Sequence, residues 1–228
     1  MKKLMLFVAI VCIAFAASAQ ENPVKFGFKV GATFSKFAFS EPVSNDLKRN
    51  LLFYAGFTAD IPVGGLVSVQ TGLTANGKGF KFEQSSTVVI DDYDNSIQIP
   101  ANGTLKTLML YAEVPLNLMV NLPVGSNKIF LGAGPYLGVA FYGQERYKIV
   151  YTQDGSTHSD SDSDDLDFGK NGDYRRIDAG LNFLAGFQLR SGVNVHGGFG
   201  LGLSPVNWNS GGVKAKNSVL SVGIGVPF

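Results

Sequence analysis

The segment from Leu105 to Tyr142 alternates apolar residues with polar or small ones on both sides of one short turn, LPVGSN. Its first half has the apolar set Leu108, Leu110, Ala112, Val114, Leu116, Leu118 and Val120. Its second half has Ile129, Leu131, Ala133, Leu137, Val139 and Phe141. A period of two is typical of β-strands, so the segment predicts a long β-hairpin. Strands of this length exceed the usual five or six residues of soluble sheets and favour a membrane barrel.

The N-terminus has the pattern of an export signal. Lys2 and Lys3 precede the apolar run Leu4–Ala16, and the small residues Ala-Ser-Ala follow at 17–19. This pattern predicts a signal peptide over residues 1–19, cleaved to leave a single domain over residues 20–228. Cys12, the only cysteine, lies inside the predicted signal. The mature chain therefore has no thiol for a disulfide, a lipid anchor or a cysteine-based active site.

The composition is that of an exported all-β protein. The chain has 28 glycines, 18 phenylalanines and only 16% charged residues. Removal of Lys2 and Lys3 takes the formal net charge from +1 to −1, which gives no basis for nucleic-acid binding. No later apolar run is long enough for a transmembrane helix.

Six further alternating or turn-bounded patterns complete a set of strands. With the hairpin they predict eight strands, near 24–35, 51–61, 66–82, 105–121, 129–142, 177–189, 193–203 and 219–228. The connections alternate between long and short along the chain. Membrane barrels sort their connections in this way, with short periplasmic turns and long outer loops.

The distribution of charge along the strands gives the direction of each face. Outward-facing charges are confined to the long-loop ends of the strands, at Lys81, Lys106, Arg175 and Lys216. A charge at the centre of the lipid-facing band would cost about 2–4 kcal/mol. The predicted interior charges are Lys29, Glu113, Asp178 and Arg176, with Glu113 paired to Lys29 or Arg176. The sequence therefore predicts an eight-stranded antiparallel up-and-down transmembrane β-barrel in the outer membrane.

The motifs YAEVPLNLMV and FLGAGPYLGVAF, with FGFKVGATFSKF and DAGLNFLAGFQL, resemble the PorT-type outer-membrane β-barrel family of Bacteroidetes. The resemblance implies an integral outer-membrane protein inserted by the barrel-assembly machinery, which reads a terminal strand. The matching residues are Val222, Ile224, Val226 and Phe228. The founding member of that family belongs to a secretion system, so an accessory role in secretion is one alternative.

Two interpretations of the interior follow from the narrow lumen of an eight-stranded barrel. The first is a packed polar core with internal ion pairs, and the second is a narrow path for ions or water. We expect the packed core, because unpaired buried charge is costly.

The acidic segment after Tyr151 contains Asp160, Asp162 and Asp164, whose carboxylates are candidate Ca²⁺ ligands. The segment lacks the glycine at the sixth position and has Asn171 where a Ca²⁺-binding loop needs a bidentate Glu. We therefore expect a solvated outer loop and no metal site. Bridging of this loop to lipopolysaccharide phosphates by divalent cations is an alternative.

An enzyme of lipid modification would need a base, an orienting acid and a nucleophile. Only His158 and His196 could supply the imidazole, and neither lies in a suitable pattern, so we predict no catalytic residues and no cofactor. The expected function is an envelope protein with a structural or surface-interaction role. Its expected partners are outer-membrane lipid, lipopolysaccharide and an unidentified surface ligand or envelope protein.

Overall fold

The structure is a computed structural model that describes residues 23–40, 47–92, 95–153, 156–170, 172–207 and 213–228. The predicted signal peptide, residues 1–19, lies outside the described residues. Within those ranges no helix is long and apolar enough to cross a membrane.

The described residues form eleven β-strands. They are β1 (Lys25–Phe39), β2 (Leu47–Lys48), β3 (Asn50–Gly64), β4 (Val67–Lys78), β5 (Lys81–Asp92), β6 (Asn95–Val124), β7 (Asn127–Gln153), β8 (Ser156–Asp165), β9 (Ile177–Gln188), β10 (Asn194–Gly202) and β11 (Ala215–Pro227).

Eight of these strands close into an antiparallel ring. The order is β1-β3-β4-β6-β7-β9-β10-β11, and β11 returns to pair with β1 from Phe39↔Ala215 to Gly27↔Pro227. Closure pairs the backbone groups of both terminal strands, which an open edge in lipid would leave unsatisfied. The predicted eight-stranded barrel is confirmed.

The short connections lie at one end of the ring. Turns join β3 to β4, β6 to β7 and β9 to β10 at this end. The start of β1 and the end of β11 also lie there. Gly125 adopts φ 61° in the β6–β7 turn, a left-handed conformation that glycine adopts without a steric penalty. By the usual orientation of such barrels this end faces the periplasm.

The side chains alternate across the barrel wall with apolar residues outside and polar residues inside. On β6, Val114, Leu116 and Leu118 are about half exposed on the outer face. Glu113 and Asn117 alternate with these residues along the strand and face the lumen, where they are only 4% and 2% exposed. This is the reverse of a soluble barrel and matches a wall surrounded by lipid.

Beyond the ring, at its long-connection end, the sheet continues outside the barrel. β6 and β7 remain paired as far as Ala101↔Tyr151, β5 adds along β6, β8 adds along β7, and β2 adds to β5. We call this five-stranded part the outer sheet. β6 has 30 residues and is about 100 Å long. A tilted strand needs only about 9–11 residues to cross a membrane.

The outer sheet differs from the expectation that 83–104 and 143–173 are irregular connections. Much of both segments forms strands, and the predicted third strand ends at Lys78 rather than at Phe82. The chain leaves the ring at Gly79, where an added Cβ would lie 2.0 Å from the Thr107 carbonyl oxygen. Hydrophobic alternation did not predict these strands, because β8 is made of Ser, Asp, Thr and His.

The lipid-facing wall generates a prediction about depth. Leu116 lies midway along the ring portion of β6, and Leu122 lies beside the short turn, both on the outer face. Leu116→Lys should lower the free energy of unfolding by about 2–4 kcal/mol, and Leu122→Lys by about 0–1 kcal/mol. Denaturant titration in lipid vesicles, followed by the gel shift of the folded band, measures both. Equal costs at the two positions would contradict this placement of the bilayer.

Candidate functional site

Three charged side chains meet inside the barrel. The Lys78 ammonium lies 2.7 Å from Glu113 Oε2 and 2.9 Å from Asp178 Oδ2. These residues come from β4, β6 and β9 and are at most 4% exposed. The ion triad, as we call them, therefore links β9 to the paired strands β4 and β6 through the lumen.

Neutral donors complete the coordination of both carboxylates. Asp178 accepts hydrogen bonds from Tyr136, Asn217 and Ser204 at 2.8–3.2 Å. Asn76 and Asn182 each donate to Glu113 at 3.3 Å. The Lys78 ammonium also lies 4.1 Å from the Tyr136 ring centroid and 5.1 Å from that of Tyr111. Buried ions are tolerated when pairing and hydrogen bonding are this complete.

Of the predicted interior charges, the structure places Glu113 and Asp178 in the ion triad. Lys29 lines the lumen below it and interacts electrostatically with Glu113 without a direct ion pair. Arg176 is not interior. It is exposed just before β9 and donates to the Phe168 carbonyl oxygen at 3.4 Å. The alternation of β9 does not extend to Arg176, because this residue lies in a bend before the strand begins at Ile177.

Lys78, the central cation, was not among the predicted site residues. The sequence does contain a pattern that predicts an inward-facing Lys78. The inward-facing residues of the predicted third strand include Ser68, Gln70, Thr74 and Asn76, and the same period of two places residue 78 on that face. The expected partners of Glu113 were Lys29 and Arg176, so the pairing part of that prediction was wrong.

Above the ion triad, toward the long connections, apolar side chains fill the lumen. Phe37, Met109, Tyr111, Ala140, Val206 and Ala215 form a buried cluster. Further rings pack on Phe37, with centroids at 4.9 Å for Phe80 and 6.0 Å for Tyr174. Burial raises the pKa of Tyr174, so its phenol stays protonated and donates to Glu145 at 3.2 Å. We call this cluster with its packed rings the outer plug.

Below the ion triad the lumen contains a polar chamber of about 160 Å³. Its lining reaches Lys25, Asp60, Lys128 and Pro227 at the short-turn end of the ring, so the chamber opens on that side. The chamber is large enough to hold several water molecules. The lumen is therefore polar and open at one end and apolar and filled at the other.

The two histidines lie in different parts of the molecule. His196 lines the chamber, where Nε2 lies 2.6 Å from the Tyr54 hydroxyl and Nδ1 lies 2.8 Å from Asn194 Oδ1. His158 lies on β8 and stacks on Tyr151. An amide rather than a carboxylate orients His196, so the described contacts lack the acid that would support it as a strong base.

The Ca²⁺ candidates do not converge. Asp160, Asp162 and Asp164 are exposed alternate residues of β8, and alternate strand residues lie about 6.6–6.8 Å apart. Calcium needs several oxygens within about 2.3–2.6 Å. Within the described ranges, no group of three or more His, Cys, Asp or Glu side chains could hold a metal ion.

The residues of the predicted insertion signal lie on the closing strand. Val222 and Ile224 on β11 pair with Ala32 and Val30 of β1, and Val226 pairs with Phe28. All three, and the final Phe228, have exposed side chains on the lipid-facing side. Their role in insertion stays a prediction.

The ion triad generates a stability prediction. Lys78→Met leaves two buried carboxylates without their cation and should lower the free energy of unfolding by about 3–5 kcal/mol. The triple variant Lys78→Met/Glu113→Gln/Asp178→Asn should recover most of that loss, because none of the three charges of the triad remains. Denaturant titration of the folded gel band measures both, with the exposed Lys170→Met as control. A Lys78→Met variant as stable as the control would contradict the role of the triad.

Comparison with models of protein families identifies the class of protein. The model of the outer membrane protein beta-barrel domain family matches residues 16–207, and no curated protein matches the sequence.

Similar solved structures include Ail of Yersinia pestis in complex with a heparin analogue, with 11% identity, 90% of this chain and 99% of that chain covered, and a TM-score of 0.38. Neisserial surface protein A has 14% identity, 89% and 97% coverage and a TM-score of 0.38. The Escherichia coli outer membrane protease OmpT has 9% identity, 92% and 98% coverage and a TM-score of 0.36. At these values the neighbours support no statement about function. The family match spans most of the chain, and the protein belongs to the outer membrane protein beta-barrel domain family.

Proposed function

We propose that this outer-membrane barrel is a surface-interaction protein that holds its outer sheet against a partner outside the membrane. The observation that supports the proposal is the pairing of β6 with β7, which runs from Val124↔Asn127 to Ala101↔Tyr151 and continues past one register shift between Leu110 and Tyr111. Because these strands are shared with the barrel, the outer sheet is held by the wall itself and is not joined to it by a flexible linker.

The edge of the outer sheet formed by β8 is the surface we propose for contact. Among the described strands β8 pairs with β7 alone, and all ten of its residues are exposed. An edge strand has unpaired backbone donors and acceptors, to which an extended segment of another chain can add. The partner is a surface ligand or another envelope protein.

Within this proposal the protein is a PorT-type barrel, as its strand motifs suggest, and an accessory role in a secretion system is compatible with the same outer surface. We propose no enzymatic activity, since His196 is oriented by an amide and the exposed His158 stacks on Tyr151. No cofactor is required for the proposed role.

Site-specific crosslinking tests the edge. Ser161→Cys on β8, treated with a thiol-reactive photocrosslinker on intact cells, should give a defined band above the barrel's own mass. Lys170→Cys, exposed on the same side but outside the outer sheet, is the matched control. Crosslinks of equal yield from both positions, or none from position 161, would contradict the proposal.

The alternative of a narrow pore has its own test. The outer plug and the ion triad fill successive levels of the lumen, so the refolded barrel should give no steady conductance in planar bilayers. A concentration-matched porin in the same bilayer serves as the positive control. Reproducible, ion-selective steps from this barrel would favour the pore instead.

A further inference from the structure

A row of basic side chains crosses the base of the outer sheet. Direct cross-strand partners are Lys48↔Lys81, Lys81↔Lys106 and Lys106↔Arg146, from β2 through β5 and β6 to β7. Lys148 lies two residues beyond Arg146 on the same face. Strands are about 4.8 Å apart, so the row spans roughly 14 Å. We call these five residues the basic row.

The basic row lies on the lipid side of the sheet, directly beyond the apolar wall. Lys106 follows the outward series of β6, Leu116, Leu110 and Leu108, at the same period of two. Lys48, Lys106, Arg146 and Lys148 are exposed, and Lys81 is partly so. By the orientation inferred from the turns, this position is the headgroup level of the outer leaflet.

The charge of the basic row is only partly balanced within the described part of the chain. Glu83 pairs with Lys48 and Lys81, whose hydrogen bonds lower the pKa of Glu83 to about 2. Asp165, opposite Gln144, is the nearest acid of β8 on this face. No ion pair is formed by Lys106, Arg146 or Lys148 with the described residues. Like charges directly opposite one another destabilise a sheet, so an anion placed between them would be stabilising.

From this arrangement we propose that the basic row binds the phosphate groups of lipopolysaccharide in the outer leaflet. Lys106 on β6 and Arg146 on β7 are direct cross-strand partners, so one phosphate can accept hydrogen bonds from both. The planar guanidinium of Arg146 suits two phosphate oxygens at once, and Lys148 can contact a second group. The acyl chains of the same lipid would lie along the apolar face of β6 and β7. This site adjoins β8, because Lys148 lies directly opposite Ser161. It uses the side chains on one face of the sheet, whereas the partner proposed above would pair with the backbone edge of β8.

Native mass spectrometry of the barrel in detergent with lipid A tests the proposal. The wild-type barrel should retain bis-phosphorylated lipid A with a chelator present. Lys106→Gln/Arg146→Gln/Lys148→Gln should bind it roughly a hundredfold less tightly, since each cation contributes about fivefold near an anionic lipid surface. Lys25→Gln/Lys128→Gln/Arg190→Gln, with the same charge change at the short-turn end, should bind as the wild type does. The gel shift of the folded band establishes that each variant is folded.

Two further ligands distinguish the source of the phosphate. Dephosphorylated lipid A should bind to the wild type about as weakly as phosphorylated lipid A binds to Lys106→Gln/Arg146→Gln/Lys148→Gln. Inorganic phosphate at millimolar concentration should not displace the lipid. Arg146→Lys, which keeps the charge, should lose only part of the affinity. The proposal is wrong if the two triple variants lose equal affinity, if dephosphorylated lipid A binds equally well, if free phosphate displaces the lipid, or if the chelator abolishes binding.

Discussion

The structure depends on the requirement that every backbone N–H and C=O in the lipid region has a partner. The pairing of β11 with β1 meets this requirement, because it leaves no open edge in the ring. Closure with eight strands in turn leaves a lumen that side chains can fill. The outer face must then be apolar and the inner face polar, and the remaining features of the molecule follow from how the inner face is satisfied.

The inner face is satisfied differently at its three levels. Between the outer plug and the chamber, Lys78 pairs with both Glu113 and Asp178, and hydrogen bonds from amides and from the Tyr136 phenol stabilise the remaining negative charge. Toward the outside, aromatic rings around Phe37 exclude water. Toward the short turns, polar side chains line a chamber in which solvent can satisfy them. The barrel is therefore asymmetric along its axis, and its outer end is prolonged by the outer sheet.

The ring could be predicted from the sequence because a period of two, interrupted by turns, determines both the strands and their faces. Glu113 and Asp178 were placed inside by this parity alone. The position of Lys78 follows from the same rule, but its partners depend on the register between strands that are distant in sequence. Arg176 shows where the rule ends, since parity has no meaning in the bend before β9. β8 could not be predicted, because a strand that pairs outside the membrane needs no apolar face.

A measurement of lumen accessibility tests this account most directly. Asn121 lines the chamber near the short-turn end, so Asn121→Cys in a barrel refolded from residues 20–228 carries the only thiol. The barrel is inserted with one orientation into lipid vesicles and treated with a small, membrane-impermeant thiol reagent on either side. The account predicts modification from the short-turn side alone. Modification at comparable rates from both sides would contradict it, because the outer plug would then not close the lumen.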